Sequence, residues 1–262
     1  IKHASFGPRL ATFRDGMGTL TETLARQLGA SVKLGVAVVA LQSSGSGWRI
    51  AVREAGVAGE LEADAVVLAI PSHAAGPVLE TLDPGLGAIV TRIPYAPVAM
   101  VHLGYHREDV PRLPAAYGFY TPSNEPSPLL GGVFTSELFP GHAPTGSAFI
   151  ACRMGGAREP DTLARTDDEL IALAHQQLER LLGARARPAF ARVVRHPRAL
   201  PQYTLGHLEQ VEAIDASVRR HPGLFLTGNA YRGLGILDCL RQADPVARQV
   251  AEHLSWPFSS SP

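Results

Sequence analysis

Six consecutive apolar residues, Ala65-Val66-Val67-Leu68-Ala69-Ile70, most restrict the folds open to this chain. A strand of an antiparallel sheet with one wet face alternates apolar and polar residues. One covered on both faces is apolar throughout, as in the parallel sheets of α/β proteins. The run is far short of the ~20 residues that a membrane-spanning helix needs, so it predicts a buried strand. The elements around it agree with an α/β opening third. Met17, Leu20, Leu24 and Leu28 lie on one face of a helix predicted over about Met17 to Leu28, with Thr19 and Glu22 at capping-box spacing and Gly29 at the end. Val32 to Leu41 reads as a strand, and Trp48 to Arg53 with Glu60 to Ala63 as a hairpin.

From about Pro84 the pattern changes. Prolines and glycines punctuate short runs at Val98 to Tyr105, Ala116 to Thr121, Gly131 to Thr135 and Ser147 to Arg153, which read as strands of a mainly antiparallel sheet. A helix is predicted at Asp167 to Leu182, capped by Thr166 with Glu169 three residues on and stopped by Gly183. Ala189 to Arg195 reads as another strand and Leu208 to Val218 as a helix. The α/β style then returns with a strand at Gly223 to Thr227, a glycine-rich turn and a final helix to Leu254. The fold class is therefore α/β plus α+β, one domain interrupted by another. The polar tail Trp256 to Pro262 is expected to be disordered.

Charge excludes one class of partner. Lys plus Arg number 24 and Asp plus Glu 24, so a nucleic-acid footprint has no electrostatic support. Two cysteines, Cys152 and Cys239, make neither a disulfide framework nor a metal quartet, and the ten histidines are scattered, so no metal site is expected. No nucleophile elbow or phosphate-binding P-loop occurs. The most informative stretch follows the last strand: Gly228-Asn229-Ala230-Tyr231-Arg232-Gly233-Leu234-Gly235. Glycines between a strand and a helix allow close backbone approach, and the helix N-terminus offers N–H groups to an electron-rich ligand edge. An ordinary strand-to-helix turn explains the spacing equally well. It is not the G-x-G-x-x-G fingerprint, and Gly16-Met17-Gly18 reads as a tight helix entry. The chain opens on Ile1 and not on Met, and is expected to be a piece of a longer protein.

Seven segments in order, FRDGMGTLTETL (13–24), ADAVVLAIP (63–71), IPYAPVAMVHLGY (93–105), FTSELFPGHAP (134–144), GGAR (155–158), LPQYTLGH (200–207) and GNAYRGLGILDCLR (228–241), resemble the C-terminal half of the protoporphyrinogen oxidase family. That family lies within the flavin amine oxidase superfamily. The resemblance implies a partial FAD/NAD(P)-binding domain, 1–83 and 221–255, interrupted by a p-hydroxybenzoate-hydroxylase-like mixed or antiparallel sheet substrate domain, 84–220. It implies FAD as cofactor, met by the backbone of Val38 at the adenine and by Asn229 and the backbone of Leu234, Gly235 and Ile236 at the flavin. It implies a tetrapyrrole pocket lined by Tyr120, Val133 and Arg153. At the last of these the family usually has an apolar, often aromatic, residue. Leu237 and Ala243 stand where the family commonly has proline and glycine, and Pro245 is expected to break or kink the last helix.

The implied reaction removes six electrons from protoporphyrinogen IX or coproporphyrinogen III in haem biosynthesis, with oxygen as acceptor. Hydride transfer to flavin needs chiefly orientation and an apolar pocket, and no catalytic side chain is singled out. The family's N-terminal βαβ unit has no counterpart in these residues, so the chain alone is expected to bind FAD poorly and not to turn over. A cytoplasmic location, peripheral contact with the membrane and a homodimer are the implied setting. Another superfamily member, such as an amine oxidase or carotenoid desaturase, and a non-catalytic interaction module are the alternatives.

Overall fold

The structure is a computed structural model and describes residues 11–45 and 47–256. Its elements are α1 (Gly18–Leu28), β1 (Val36–Ser44), β2 (Gly47–Glu54), β3 (Val57–Ala63), β4 (Val66–Leu68), α2 (Ser72–Glu80), α3 (Pro84–Thr91), β5 (Tyr95–His106), β6 (Gly118–Tyr120), β7 (Leu129–Phe134), α4 (Thr135–Leu138), β8 (Ser147–Gly155), α5 (Asp167–Leu182), β9 (Phe190–Pro201), α6 (His207–Val218), β10 (Leu224–Leu226) and α7 (Ile236–His253). The chain forms two compact units, Ile1–Lys33 with Pro97–Pro197 and Leu34–Ala96 with Arg198–Pro262. The helix α1 thus groups with the 97–197 unit, and the expected changeovers at 83/84 and 220/221 fall inside the other unit. The tail residues 257–262 lie outside the described residues.

The first unit is built on a five-stranded sheet in the order β6-β7-β8-β5-β9. Strands β5 and β8 pair antiparallel from Val98↔Gly155 to His106↔Ser147, and β7 pairs antiparallel with both β6 and β8. Alternation along the strands sends Ala99, Val101, Leu103, Ile150, Cys152 and Met154 to one face, where Leu170, Ala174, Leu178 and Leu182 of α5 cover them. The predicted caps of α5 are present: the Thr166 hydroxyl accepts from Glu169 N, the Glu169 carboxylate accepts from Thr166 N, and Gly183 closes the helix in the left-handed conformation. Burial pushes the Cys152 thiol up to about 12, which leaves it an inert core residue. By contrast α1 begins at Gly18 with Met17 as its cap and no side-chain cap bond, so the Thr19/Glu22 box does not form. Thr19 lies one residue inside the helix, where its hydroxyl cannot serve as the cap. Met17, Leu24 and Leu28 are exposed.

The second unit holds an antiparallel meander, β1-β2-β3, and a parallel pair, β4 with β10, in register Leu224↔Val66 to Leu226↔Leu68. The β2–β3 hairpin turns at Ala55 and Gly56, both at positive φ, the geometry whose twist suits a two-residue connection. The apolar run that opened the sequence is half covered. Val66 and Leu68 are buried in a cluster with Ala75, Leu79, Leu86 and Val90 of α2 and α3, but Val67 is 41% exposed. The helices pack on one face of the short sheet, and the expected burial on both faces is not met among the described residues. The α2–α3 hairpin itself has no counterpart among the elements read from the sequence.

Asp83 shows how that hairpin is held. Its carboxylate accepts from Leu86 N at 3.0 Å as the cap of α3, and His221 Nε2 and Arg220 Nη2 donate to its other oxygen at 3.2 and 3.0 Å. The Leu86 bond first, then His221 and Arg220, hold its pKa at about 2 against a usual 3.8. A carboxyl depressed in the folded state stabilises above its unfolded pKa, and that contribution fades as pH falls toward the folded value. Asp83→Ala is therefore expected to cost about 1–2 kcal/mol at neutral pH. The gap from the parent should close between pH 4 and about 2 in urea denaturation; an unchanged gap at both ends would contradict the assignment.

Candidate functional site

The turn between β10 and α7 is pinned along its length. Tyr203 donates its hydroxyl to the backbone oxygen of Asn229 at 2.7 Å and accepts from Gly233 N at 2.8 Å, so one phenol bridges both ends of the glycine segment. Burial raises the Tyr203 pKa, which keeps the hydroxyl a donor. The His207 ring stacks on Tyr203 with centroids 3.9 Å apart, and its Nε2 lies 3.0 Å from the carbonyl of Tyr231, which requires the tautomer with hydrogen on Nε2. Arg232 pairs with Asp215 of α6, and Gln242 of α7 donates to the Arg232 carbonyl at 3.0 Å. The segment Pro201-Gln202-Tyr203 and the first turn of α6 are thus the clamp on a turn 26 residues further along. The sequence singled out the turn; its clamps Tyr203, His207, Asp215 and Gln242 are additions from the structure.

What the turn presents is a helix start. Glycine has no side chain to cap with, and the cap of α7 is one-sided: Asp238 Oδ2 accepts from Gly235 N at 3.0 Å. The first-turn N–H groups of Ile236 and Leu237 have no acceptor within the helix. Gly228, at φ +127°, has open space where a Cβ would stand. Leu234, Ile236, Leu237 and Leu240 offer apolar surface beside these donors, Leu237 being 67% exposed. Free N–H groups at a positive helix end, next to exposed apolar side chains, suit the edge of a flat, electron-rich ring. Asn229, Leu234, Gly235 and Ile236 all belong to this turn. Val38 lies in the same unit on β1, where the register with β2 slips between Val38 and Ala40 and takes part of the backbone out of the ladder. Pro245 does not break α7, which runs unbroken from Ile236 to His253. The ring sits on an exposed side, where the carbonyl four residues back can turn to water.

The other named residues belong to the first unit. Cys152 and Met154 point into the core, so Arg153 between them points to the opposite face of the sheet. Register aligns Tyr120, Gly131, Arg153 and Met100 across β6, β7, β8 and β5, with Gly118, Val133, Ala151 and His102 in the next row. Gly131 puts no side chain between Tyr120 and Arg153, and the guanidinium carbon lies 4.7 Å from the centre of the Tyr120 ring. Tyr120, Val133 and Arg153 therefore share one face. Among the described residues no three His, Cys, Asp or Glu side chains are grouped to hold a metal ion, and no helix is long and apolar enough to cross a membrane.

The sequence and the fold are similar to those of known oxidases. The model of the family described as flavin containing amine oxidoreductase matches residues 3–251. The chloroplastic protoporphyrinogen oxidase of Oryza sativa subsp. japonica is 27% identical over 260 residues, covering 95% of this chain and 48% of that protein. The coproporphyrinogen III oxidase of Bacillus subtilis (strain 168) is 27% identical over 250 residues, covering 95% and 52%. A crystal structure of a protein assigned as a protoporphyrinogen oxidase from Exiguobacterium sp. 255-15 superposes with a TM-score of 0.78 at 21% identity, covering 93% of this chain and 52% of that one. The chain spans about half the length of the curated relatives it matches. A family model matched along nearly the whole sequence settles the family: the chain belongs to the flavin containing amine oxidoreductases.

Proposed function

We propose that this chain supplies the flavin-ring end of an FAD site and the substrate-facing sheet of a porphyrinogen oxidase. The observation that carries the reading is the pinned turn 228–235 opening onto the first-turn N–H groups of α7. The names of the relatives, oxidases of protoporphyrinogen and of coproporphyrinogen III, support the substrate class. In this reading the backbone of Leu234, Gly235 and Ile236, with Asn229, meets the polar edge of the flavin, and the N-terminus of α7 favours negative charge there. The backbone of Val38 meets the adenine. Tyr120, Val133 and Arg153 face the tetrapyrrole. Bound FAD would accept two electrons in each of three cycles and pass them to oxygen, so that three O2 become three H2O2. The work of this chain is orientation and exclusion of water around the reacting carbon.

The 262 residues contain no G-x-G-x-x-G segment. In this reading the FAD pyrophosphate is held by a segment outside them, and the 262-residue polypeptide alone is expected to retain little flavin and to oxidise nothing. The test is to purify both this polypeptide and the product of the full reading frame that encodes it. Flavin absorption and the identity of acid-released flavin are recorded, then porphyrin fluorescence and peroxide with protoporphyrinogen IX and coproporphyrinogen III in air. Flavin and porphyrin formation in the full product alone is the expected outcome. A full product without flavin and without oxidation of either substrate would sink the reading.

A further inference from the structure

We propose that Arg153 is a docking point for a carboxylate of the substrate, and that it makes coproporphyrinogen III, with four propionates, the preferred porphyrinogen over protoporphyrinogen IX, with two. The inference rests on the porphyrinogen reading above and names what that site selects.

Two atoms of Arg153, Nε and Nη2, are out of contact with water and have no hydrogen-bond partner. They are the two donors of the side-on edge of the guanidinium, whose parallel N–H bonds match the two oxygens of a carboxylate. Arginine stays charged at any ordinary pH, and a buried unpaired donor is costly, so an edge left empty in this way points to an acceptor that arrives with a ligand. No carboxylate of the chain serves: Arg153 makes no ion pair among the described residues, and the five strands of its sheet contain four arginines, three histidines and no aspartate or glutamate. The neighbour His102, whose Nδ1 also lacks a partner, has its pKa lowered by burial and by Arg192, which leaves Arg153 the fixed positive charge of these two rows.

The contact that the guanidinium does make is light. Tyr120 lies across the guanidinium but is itself 68% exposed, and an exposed cation–π contact is weak beside a bidentate, charge-assisted pair. A carboxylate can displace the ring and leave it packed alongside. Next to the charge the floor is apolar or bare at Val133, Ala151, Met100, Gly131 and Gly118, with His102 the one other polar side chain of the second row. A ligand suited to that floor has a flat apolar body and a carboxylate at its rim. Four propionates around the macrocycle present one to Arg153 in every in-plane orientation, whereas the vinyl groups of protoporphyrinogen IX present none on half of the ring.

The test uses the full reading frame, its Arg153→Met and Arg153→Lys variants, and three substrates: coproporphyrinogen III, its tetramethyl ester and protoporphyrinogen IX. Binding of coproporphyrin III and of its tetramethyl ester is measured in parallel by fluorescence. The parent is expected to show kcat/KM at least tenfold higher for coproporphyrinogen III than for either other substrate. Arg153→Met should raise KM for coproporphyrinogen III about tenfold with little change in kcat and leave the ester unaffected, and Arg153→Lys, with charge but no fork, should fall between. Porphyrin affinities should follow the same order. If Arg153→Met treats acid and ester as the parent does, or weakens both equally, the proposal is overturned while the porphyrinogen reading stands. A parent that neither binds nor oxidises any of them overturns both.

Discussion

Gly87→Val should destabilise the second unit by about 3–5 kcal/mol, a large part of the 5–15 kcal/mol that holds a domain together. A Cβ at Gly87 would lie 2.6 Å from both the Cα and the backbone N of Glu80, so the obstacle is the main chain of α2 and not a side chain that can swing away. The two helices can relieve the clash only by separating. Separation withdraws Leu79, Leu86 and Val90, all fully buried, from their cluster with Leu41, Val66 and Leu68. Each such side chain contributes about 1.5–3 kcal/mol on burial. Gly141→Ala is the control, since nothing lies within 4 Å of a Cβ there. Urea denaturation should show the control within about 0.5 kcal/mol of the parent. A Gly87→Val protein within 1 kcal/mol of the parent would mean that the helices do not meet backbone to backbone.

That contact also explains why the hairpin was hard to read. Gly76, Pro77, Gly85 and Gly87 disfavour helix in isolation, yet two of these glycines are what lets α2 and α3 approach. The legible signal was local, Asp83 before Pro84, a helix cap followed by proline at the first position. Where local signals sufficed, as with Thr166, Glu169 and Gly183 around α5, sequence and structure agree at both ends of the helix. Reading the apolar run at 65–70 and the apolar face of α1 needed knowledge of what covers them. Composition records only that they are apolar, and Val67 and Leu24 are in fact exposed. The candidate site divides in the same way. The glycine turn was visible because glycine spacing is a one-dimensional property. The bridge from Tyr203 to Asn229 and Gly233 was not, because tertiary folding alone brings residues 203 and 229 together.

If the turn holds the flavin as proposed, the bridge makes the second large effect a matter of cofactor retention, with little change in overall stability. Gly233 stands at φ +121°, a region that residues with a side chain rarely enter, and a Cβ there would lie 2.5 Å from Asp238 Cβ and 2.8 Å from its carboxyl carbon. Gly233→Ala must therefore rotate the turn or push Asp238 off Gly235 N, and either change moves the N–H groups at the start of α7. Strain of about 1–3 kcal/mol at such a position corresponds to roughly ten- to a hundredfold weaker FAD binding if the turn holds the flavin edge. The melting temperature should change little, because Ala251 is the only buried residue of α7. Tyr203→Phe, which deletes the hydroxyl and keeps the ring on His207, should weaken FAD by about fivefold, the worth of a single hydrogen bond. Both substitutions act through one turn, so the double variant should bind FAD about as weakly as Gly233→Ala alone. Flavin fluorescence titration of the four proteins, made as the full reading frame, measures the cycle; strictly additive losses would show that Tyr203 and Gly233 do not hold the same part of the site.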